Sequence, residues 1–188
     1  DAANVDLKAF TETFYSKITL SHFGPVLEVL KWLKTETNVW FEITNLMIPG
    51  LNDDPAETQK LAEWILKELG TDVPLHFTAF HPDFKLRDRP KTPPETLHRA
   101  RQIAMEVGLK YVYEGNIYSE GAHTYCPGCG GKLIERSWHD VLENRMKAGR
   151  CLTCGTAIPG VWNNLRGKTP PAILEESRRV EEKYGLEL

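Results

Sequence analysis

The stretch of sequence that decides the fold is residues 38–80, NVWFEITNLMIPGLNDDPAETQKLAEWILKELGTDVPLHFTAF. Its first part, 38–48, is rich in β-branched and aromatic residues and stops at a Pro-Gly pair, which predicts a strand. A second run of this kind, at 73–80, closes the stretch. The residues between the two runs are spaced like a helix, so the stretch predicts a strand–helix–strand unit.

The helix inside this unit has clear start and stop signals. Asp53 or Asp54 stands before Pro55, the usual order of an N-cap and a first-turn proline. Gly70 supplies a C-terminal stop. Between these signals the apolar residues recur at helical spacing, at Leu61, Ile65 and Leu69.

The alternation of predicted strands and helices continues in both directions along the chain. Upstream, residues 4–10 predict a strand and residues 24–34 a helix. Downstream, a helix is predicted from Thr92 to a stop at Gly108, and residues 109–115 predict a last strand. Strands that alternate with helices indicate an α/β fold with a parallel sheet. The units are too few to close a barrel, so we expect an open sheet or part of a larger barrel.

Ligands of parallel α/β folds bind beyond the C-terminal ends of the strands, so the residues there are candidates for a site. Because side chains alternate along a strand, one face and its C-terminal edge are expected to carry Asp6, Lys8, Glu42, Thr44, Leu46 and His81. A plain surface pair at Asp6 and Lys8, and a loop role for His81, are open alternatives. The remaining histidines, including His76 and His98, have no partner spacing that indicates a site.

The composition sets broad limits on function. The chain has 188 residues, of which 41% are apolar, enough for one domain with a small satellite. A net charge of −3 gives no general attraction to nucleic acid. No apolar run reaches the roughly 18 residues of a membrane helix, and paired cysteines without a signal peptide favour the reducing cytoplasm. The chain begins DAANVDLKAF, without an initiator methionine and on a predicted strand, so we expect a fragment or a processed product.

All four cysteines fall in two CxxC pairs, CPGC at 126–129 and CLTC at 151–154, with 21 residues between the pairs. A glycine follows each pair, which is typical of knuckles whose backbone N–H groups point at the sulfurs. Two knuckles predict a closed tetrahedral site with a structural role, formed by Cys126, Cys129, Cys151 and Cys154. Zn²⁺ suits this site best, and mononuclear iron or an auxiliary iron–sulfur cluster is the alternative.

Several short motifs occur in an order that resembles a known family. VDLKAF, MIPGLNDD, FTAFHPDF and GLKYVYEGN follow one another as in the C-terminal half of radical S-adenosylmethionine (SAM) enzymes of the pyruvate formate-lyase activating type. The nearest resemblance is to the radical enzyme of the AmmeMemoRadiSam system, whose members carry a cysteine-paired tail. The resemblance covers roughly residues 1–160. It implies the C-terminal half of a partial (β/α)6 barrel followed by a small zinc-ribbon-like tail.

The resemblance also implies a set of cofactor contacts. In the family an Asp-x-Lys motif contacts SAM, and here it corresponds to Asp6 and Lys8. The strand before Ile-Pro-Gly lends inward residues to the cofactor, which correspond to Thr44 and Leu46. Thr44 stands where relatives can carry an arginine. The aromatic-His pair after the next strand gives His81 the same role.

The family's cluster motif, CxxxCxxC, is absent from this sequence, and so is its Gly-Gly-Glu motif. A [4Fe–4S] cluster depends on cysteine thiolates, so we expect the chain alone to be inactive. The intact protein is expected to cleave SAM reductively to a 5′-deoxyadenosyl radical, which abstracts hydrogen from a partner protein or another substrate. The expected partners are the missing N-terminal half-barrel, that substrate, and a second copy paired through the open sheet edge.

These considerations divide the chain into a half-barrel (1–118), a four-cysteine ribbon (119–160) and a helical tail (161–188). Two other functions stay open at this point. One is a non-catalytic zinc-ribbon module that docks a protein or, against the acidic balance, a nucleic acid. The other is a complete small α/β enzyme that uses Asp6, Lys8 and His81 in acid–base roles.

Overall fold

A computed structural model describes residues 2–138 and 140–162 of the chain. Its main sheet is parallel and has the strand order β1-β2-β3-β4, so each strand lies beside the next one in sequence. The strands are β1 (Ala2–Asp6), β2 (Trp40–Met47), β3 (Leu75–Ala79) and β4 (Val112–Gly115). The repeated strand–helix–strand unit in the sequence is therefore confirmed as a mixed α/β fold.

Helices cover one face of this sheet. They are α2 (Phe23–Glu36), α3 (Pro55–Glu68) and α4 (Pro94–Val107). Asp54, and not Asp53, is the N-cap of α3, because its carboxylate accepts the N–H groups of Ala56 and Glu57 at 2.9 and 3.0 Å. Gly108 ends α4 in the left-handed conformation, as its position in the sequence predicts. The core between sheet and helices is built on the buried side chains of Leu30, Ile43, Leu61, Ile65, Phe77 and Leu97.

The two faces of the sheet differ in burial. Along β2 every second residue is buried toward the helices, from Phe41 to Met47. The residues between them, Glu42, Thr44 and Leu46, are half-buried on the opposite face, as alternation predicts. We call this second surface the open face. It has no helix over it in the described part of the chain.

Three local features differ from the sequence expectation. β1 ends at Asp6 rather than at residue 10, and just beyond its end the Lys8 N–H bonds the Tyr15 hydroxyl, 3.0 Å away. Thr92 does not start α4; it is buried, with its hydroxyl 2.8 Å from the Phe80 N–H and 2.5 Å from the Met47 carbonyl. A short helix, α1 (Glu12–Phe14), and a π-helical turn (Tyr15–Thr19) fill a segment without a predicted element.

The cysteine-bearing segment is a small antiparallel β unit. It contains β5 (Thr124–Tyr125), β6 (Lys132–Ser137), β7 (Asp140–Asn144), β8 (Met146–Lys147) and β9 (Arg150–Cys151). We call this unit the ribbon. The helical tail predicted for residues 161–188 lies, from residue 163 onward, outside the described residues. Among the described elements, no helix has both the length and the apolar character to cross a membrane.

Candidate functional site

The two CxxC segments form matching turns. The Gly130 N–H bonds the Cys126 carbonyl and the Gly155 N–H bonds the Cys151 carbonyl, both at 2.9 Å. Both glycines have a positive φ, +71° and +73°, a conformation that a side chain would strain. Each glycine therefore closes its turn around a pair of cysteines, and the predicted knuckles are confirmed.

The turns bring the four sulfurs together. The ligand atoms of Cys126, Cys129, Cys151 and Cys154 all lie within 4.8 Å of one another. Cys126 and Cys154 have their sulfurs 3.5 Å apart, and Cys129 and Cys151 have theirs 3.8 Å apart. A tetrahedral ion with bonds of about 2.3 Å requires sulfur separations of about 3.8 Å. The cluster can therefore hold one four-coordinate metal ion.

The cysteine thiols differ in pKa when no cation is present. The Thr156 hydroxyl and backbone N–H lower the pKa of Cys154 to about 6. The Gly131 N–H favours ionisation of Cys129, but the neighbouring sulfurs of Cys154 and Cys126 outweigh it and raise its pKa to about 12. Four negative charges cannot share so small a volume unless a cation compensates them. The charge of the four thiolates thus favours a bound cation, as the positions of their sulfurs do.

The metal centre also lies at the junction of the ribbon with the main sheet. Cys126 and Cys151 are buried in one apolar cluster with Leu133, Ile134 and Ile158. Tyr111, which directly precedes β4, belongs to the same cluster, and Tyr113 packs against it. An ion at the four sulfurs would therefore fix the ribbon against the open face of the sheet.

The residues predicted to contact a cofactor lie on the open face and its C-terminal edge. Asp6 and Lys8 form an ion pair of 3.0 Å, with both side chains partly exposed. Thr44 is the register partner of Asp6 on β2, and its hydroxyl donates to Asn4 Oδ1 over 2.9 Å. Leu46 is two residues further along β2, half-buried against the Phe80 ring cluster. These four positions form a contiguous strip.

His81 lies at the same edge of the sheet. It follows buried Phe80 directly after β3, and its side chain is exposed. No hydrogen bond fixes its ring to the rest of the described chain. The structure thus places the five predicted residues at one edge of the sheet and leaves their roles as predictions.

A polar clamp that the sequence did not indicate fixes the backbone at Lys8. The buried Asn45 amide donates to the Leu7 and Lys8 carbonyls at 2.8 and 3.2 Å. The Asn52 amide donates to the Lys8 carbonyl at 2.5 Å and to the Leu46 carbonyl at 2.9 Å. Asn52 also accepts the Ile48 N–H at 2.6 Å. One side chain therefore ties the Asp-x-Lys segment to the Met-Ile-Pro-Gly turn.

The structure also pairs histidines whose spacing in the sequence indicated no partner. His76 Nε2 lies 2.6 Å from the carboxylate of Glu42, across two neighbouring strands of the open face. The pair with His76, assisted by the Trp40 indole N–H, holds the pKa of Glu42 below its ordinary value. His98 bonds the buried Glu114 carboxylate at 2.7 Å on the helix-covered side. Alternation places Glu42 and His76 on the same face, and that signal was available in the sequence.

Comparison with known proteins gives one relative in sequence. No family model matches the chain. The chain is 44% identical over 161 residues to the uncharacterized protein MJ0808 of Methanocaldococcus jannaschii. That alignment includes 84% of this chain and 48% of the relative, so the chain spans about half the length of the relative.

Comparison of structures gives a neighbour with a described activity. The fold is similar to a domain of a pyruvate-formate lyase-activating enzyme from Bacteroides vulgatus, with a TM-score of 0.52 and 19% sequence identity. The match covers 61% of this chain and 67% of that domain. At this identity the likeness concerns the fold alone. It supports an α/β fold like that of this domain, and the chain also has four cysteines placed so that they can bind a metal ion.

Proposed function

We propose that this chain is the C-terminal half of the barrel of a radical SAM enzyme of the pyruvate formate-lyase activating type, close to that of the AmmeMemoRadiSam system. The observation that carries the proposal is positional. Each of the motifs behind the resemblance contains the C-terminal end of a strand, in a fold similar to an activating-enzyme domain. Parallel α/β folds bind their ligands at these ends.

Within this proposal, the residues that would hold SAM are Asp6, Lys8, Thr44, Leu46 and His81. SAM beside a reduced [4Fe–4S] cluster supplies a 5′-deoxyadenosyl radical, which abstracts hydrogen from a partner protein or another substrate. The role of this chain is to bind and orient SAM through the Asp6–Lys8 pair and the strip on β2. Thiolates for the cluster come from another part of the longer protein, because all four cysteines of this chain are in the ribbon.

The proposal assigns a separate role to each part of the chain. Residues 1–118 form the half-barrel, residues 119–160 the metal ribbon, and residues 161–188 the tail. The ribbon holds one Zn²⁺ in a structural role, since four protein sulfurs leave no coordination position for a substrate. The exposed edge of β1 pairs with a strand of the N-terminal half-barrel, which also covers the open face.

The activity is tested on the longer protein that contains this chain, prepared without oxygen and loaded with iron and sulfide. Incubation with SAM and dithionite is expected to produce 5′-deoxyadenosine, measured by liquid chromatography. Asp6→Asn is expected to lower production at least tenfold, because it removes a charge at the cofactor edge. Asp72→Asn is the control, since Asp72 pairs with Lys110 at the opposite edge of the sheet. A cluster-loaded protein that produces no 5′-deoxyadenosine would contradict the proposal.

A further inference from the structure

A cleft of about 440 Å³ lies between the open face and the ribbon, beside the predicted cofactor residues but formed by others. Sheet residues form its floor and ribbon residues its wall. The side chains that define its chemistry are Glu42, His76, Tyr113, Tyr118, Arg136 and Trp138. A cleft of this size accommodates a small organic molecule.

The wall of the cleft carries the Arg136 guanidinium, which interacts electrostatically with the Glu42 carboxylate without forming an ion pair with it. One terminal nitrogen of Arg136 donates to the Ala122 carbonyl at 3.2 Å and to the Thr124 hydroxyl at 2.8 Å. The guanidinium lies over the Tyr113 ring, 5.7 Å from its centre. Within residues 2–138 and 140–162, no carboxylate forms an ion pair with it. The arginine is therefore held in place while its other N–H groups stay available to a ligand.

The carboxylates of the cleft are already engaged. Glu42 bonds His76 at 2.6 Å and the Trp40 indole at 3.1 Å. The Glu114 carboxylate, on the helix-covered side of β4, bonds His98 and the Ser119 hydroxyl. Both acids thus bond to neighbours other than Arg136, so Arg136 keeps N–H groups that can bond a ligand. This distribution favours an anionic group at Arg136.

Aromatic rings line the rest of the cleft. His76 stacks on Tyr113 with the ring centres 4.9 Å apart. At the mouth, Tyr118 from the loop after β4 and Trp138 from the ribbon pack with their ring centres 5.6 Å apart, and both remain largely exposed. Rings of this kind bind flat apolar surfaces and add to the affinity beyond the buried area.

We propose that this cleft binds a small carboxylate with a planar, aromatic body. Its carboxylate pairs with Arg136, and its ring packs between Tyr113 and the Tyr118–Trp138 pair. Because Arg136 and Trp138 belong to the ribbon, the site exists only while the ribbon is folded. A metal ion at the four cysteines would therefore also hold the ligand-binding wall against the sheet. The site does not depend on the radical SAM proposal, since all its residues belong to this chain.

The test uses benzoate as the probe and the 188-residue chain with its metal bound. Binding is followed by amide and aromatic NMR shifts during titration. Benzoate is expected to shift signals of Tyr113, Tyr118 and Trp138, while benzamide, which has the same shape without the charge, binds at least tenfold more weakly. Equal binding of benzoate and benzamide, or stronger binding of benzylamine, would overturn the proposal.

Variants locate the binding site. Arg136→Gln is expected to weaken benzoate binding at least tenfold. Arg145→Gln is the matched control, because Arg145 is a ribbon arginine that pairs with Glu143 away from the cleft. Unchanged affinity in Arg136→Gln with normal metal content contradicts the proposal. Should that variant lose metal, Trp138→Ala provides the test, since its exposed side chain can be truncated without opening the core and a severalfold loss is expected.

Discussion

At the scale of single residues, the open face is organised around the pair of Glu42 and His76, whose polar atoms lie 2.6 Å apart. Alternation correctly placed Glu42, Thr44 and Leu46 on the face away from the helices. It did not reveal that His76, 34 positions away, bonds Glu42. Such partners depend on the register between strands, which is set by the packed sheet rather than by local sequence.

The Glu42–His76 pair makes stability depend on pH. The bonds from His76 and Trp40 lower the pKa of Glu42 from its ordinary value of 4.5. Their stabilisation is therefore complete above that value and is lost as the pH falls below it. Glu42→Gln is expected to be less stable than the native chain at about pH 6, with a difference that shrinks toward about pH 3. Urea unfolding across this range measures the effect.

The exposed Glu36, at the end of α2, provides the control for this experiment. Glu36→Gln should differ from the native chain by a small amount that does not change over the same range. A difference for Glu42→Gln that stays constant with pH would show that the ionised pair contributes nothing.

Asn52 is expected to be the most sensitive polar residue near the predicted cofactor edge. It is 3% exposed and bonds the Lys8 and Leu46 carbonyls and the Ile48 N–H. Asn52→Ala leaves these buried groups without partners and is expected to cost about 2–4 kcal/mol of unfolding free energy. Asn38→Ala, at an exposed position, should change stability by less than about 0.5 kcal/mol. A loss below about 1 kcal/mol in Asn52→Ala would contradict the clamp.

At the scale of elements, segments with a regular apolar period were predicted from the sequence, and irregular segments were missed. The strands β1 to β4 and the helices α2 to α4 were predicted because their apolar residues repeat with clear periods and their ends carry Pro, Asp or Gly signals. The turns between Glu12 and Thr19 were missed because π-helical geometry has no such period. Cysteine spacing predicted the cluster of four sulfurs, yet it carried no information about Arg136, which points from the ribbon to the sheet.

The ribbon should lose its structure when its metal is removed, while the sheet and its helices keep theirs. The ribbon's buried cluster is small and contains two of the metal ligands, Cys126 and Cys151, so the ion supplies much of its folding free energy. Excess chelator is expected to collapse the NMR dispersion of β5 to β9 and leave the signals of Ile43, Ile65 and Phe77 largely in place. Retention of the ribbon signals after complete metal loss would contradict this assignment.

At the scale of the whole molecule, the main sheet has one face and one edge that a longer protein could cover. The relative that this chain matches is about twice as long as the matched region, because the alignment includes 48% of it. The open face carries charged and polar residues, and β1 is the outer strand of the sheet. In the sequence, a strand count too low for a closed barrel predicts an open sheet or part of a larger barrel.

Hydrogen exchange tests whether β1 pairs with another strand. The Leu7 N–H points toward β2, where it bonds the Thr44 carbonyl, so the alternate amides of Asn4 and Asp6 point to the outer edge. In the 188-residue chain these two amides should exchange rapidly. In the longer protein they should be protected by about 100-fold or more, since a paired strand opens only with its sheet. Equal exchange in both proteins would rule out pairing at this edge.

We propose that the ribbon holds one metal ion in a structural role and that the open face of the sheet binds the cofactor. Metal and sulfide analysis of the purified 188-residue chain tests this claim most directly. The sulfur separations of 3.5 and 3.8 Å suit one four-coordinate ion, so we expect about one zinc per chain with little iron and no labile sulfide. A content of about four irons with matching sulfide would instead make the ribbon an iron–sulfur centre and contradict the claim.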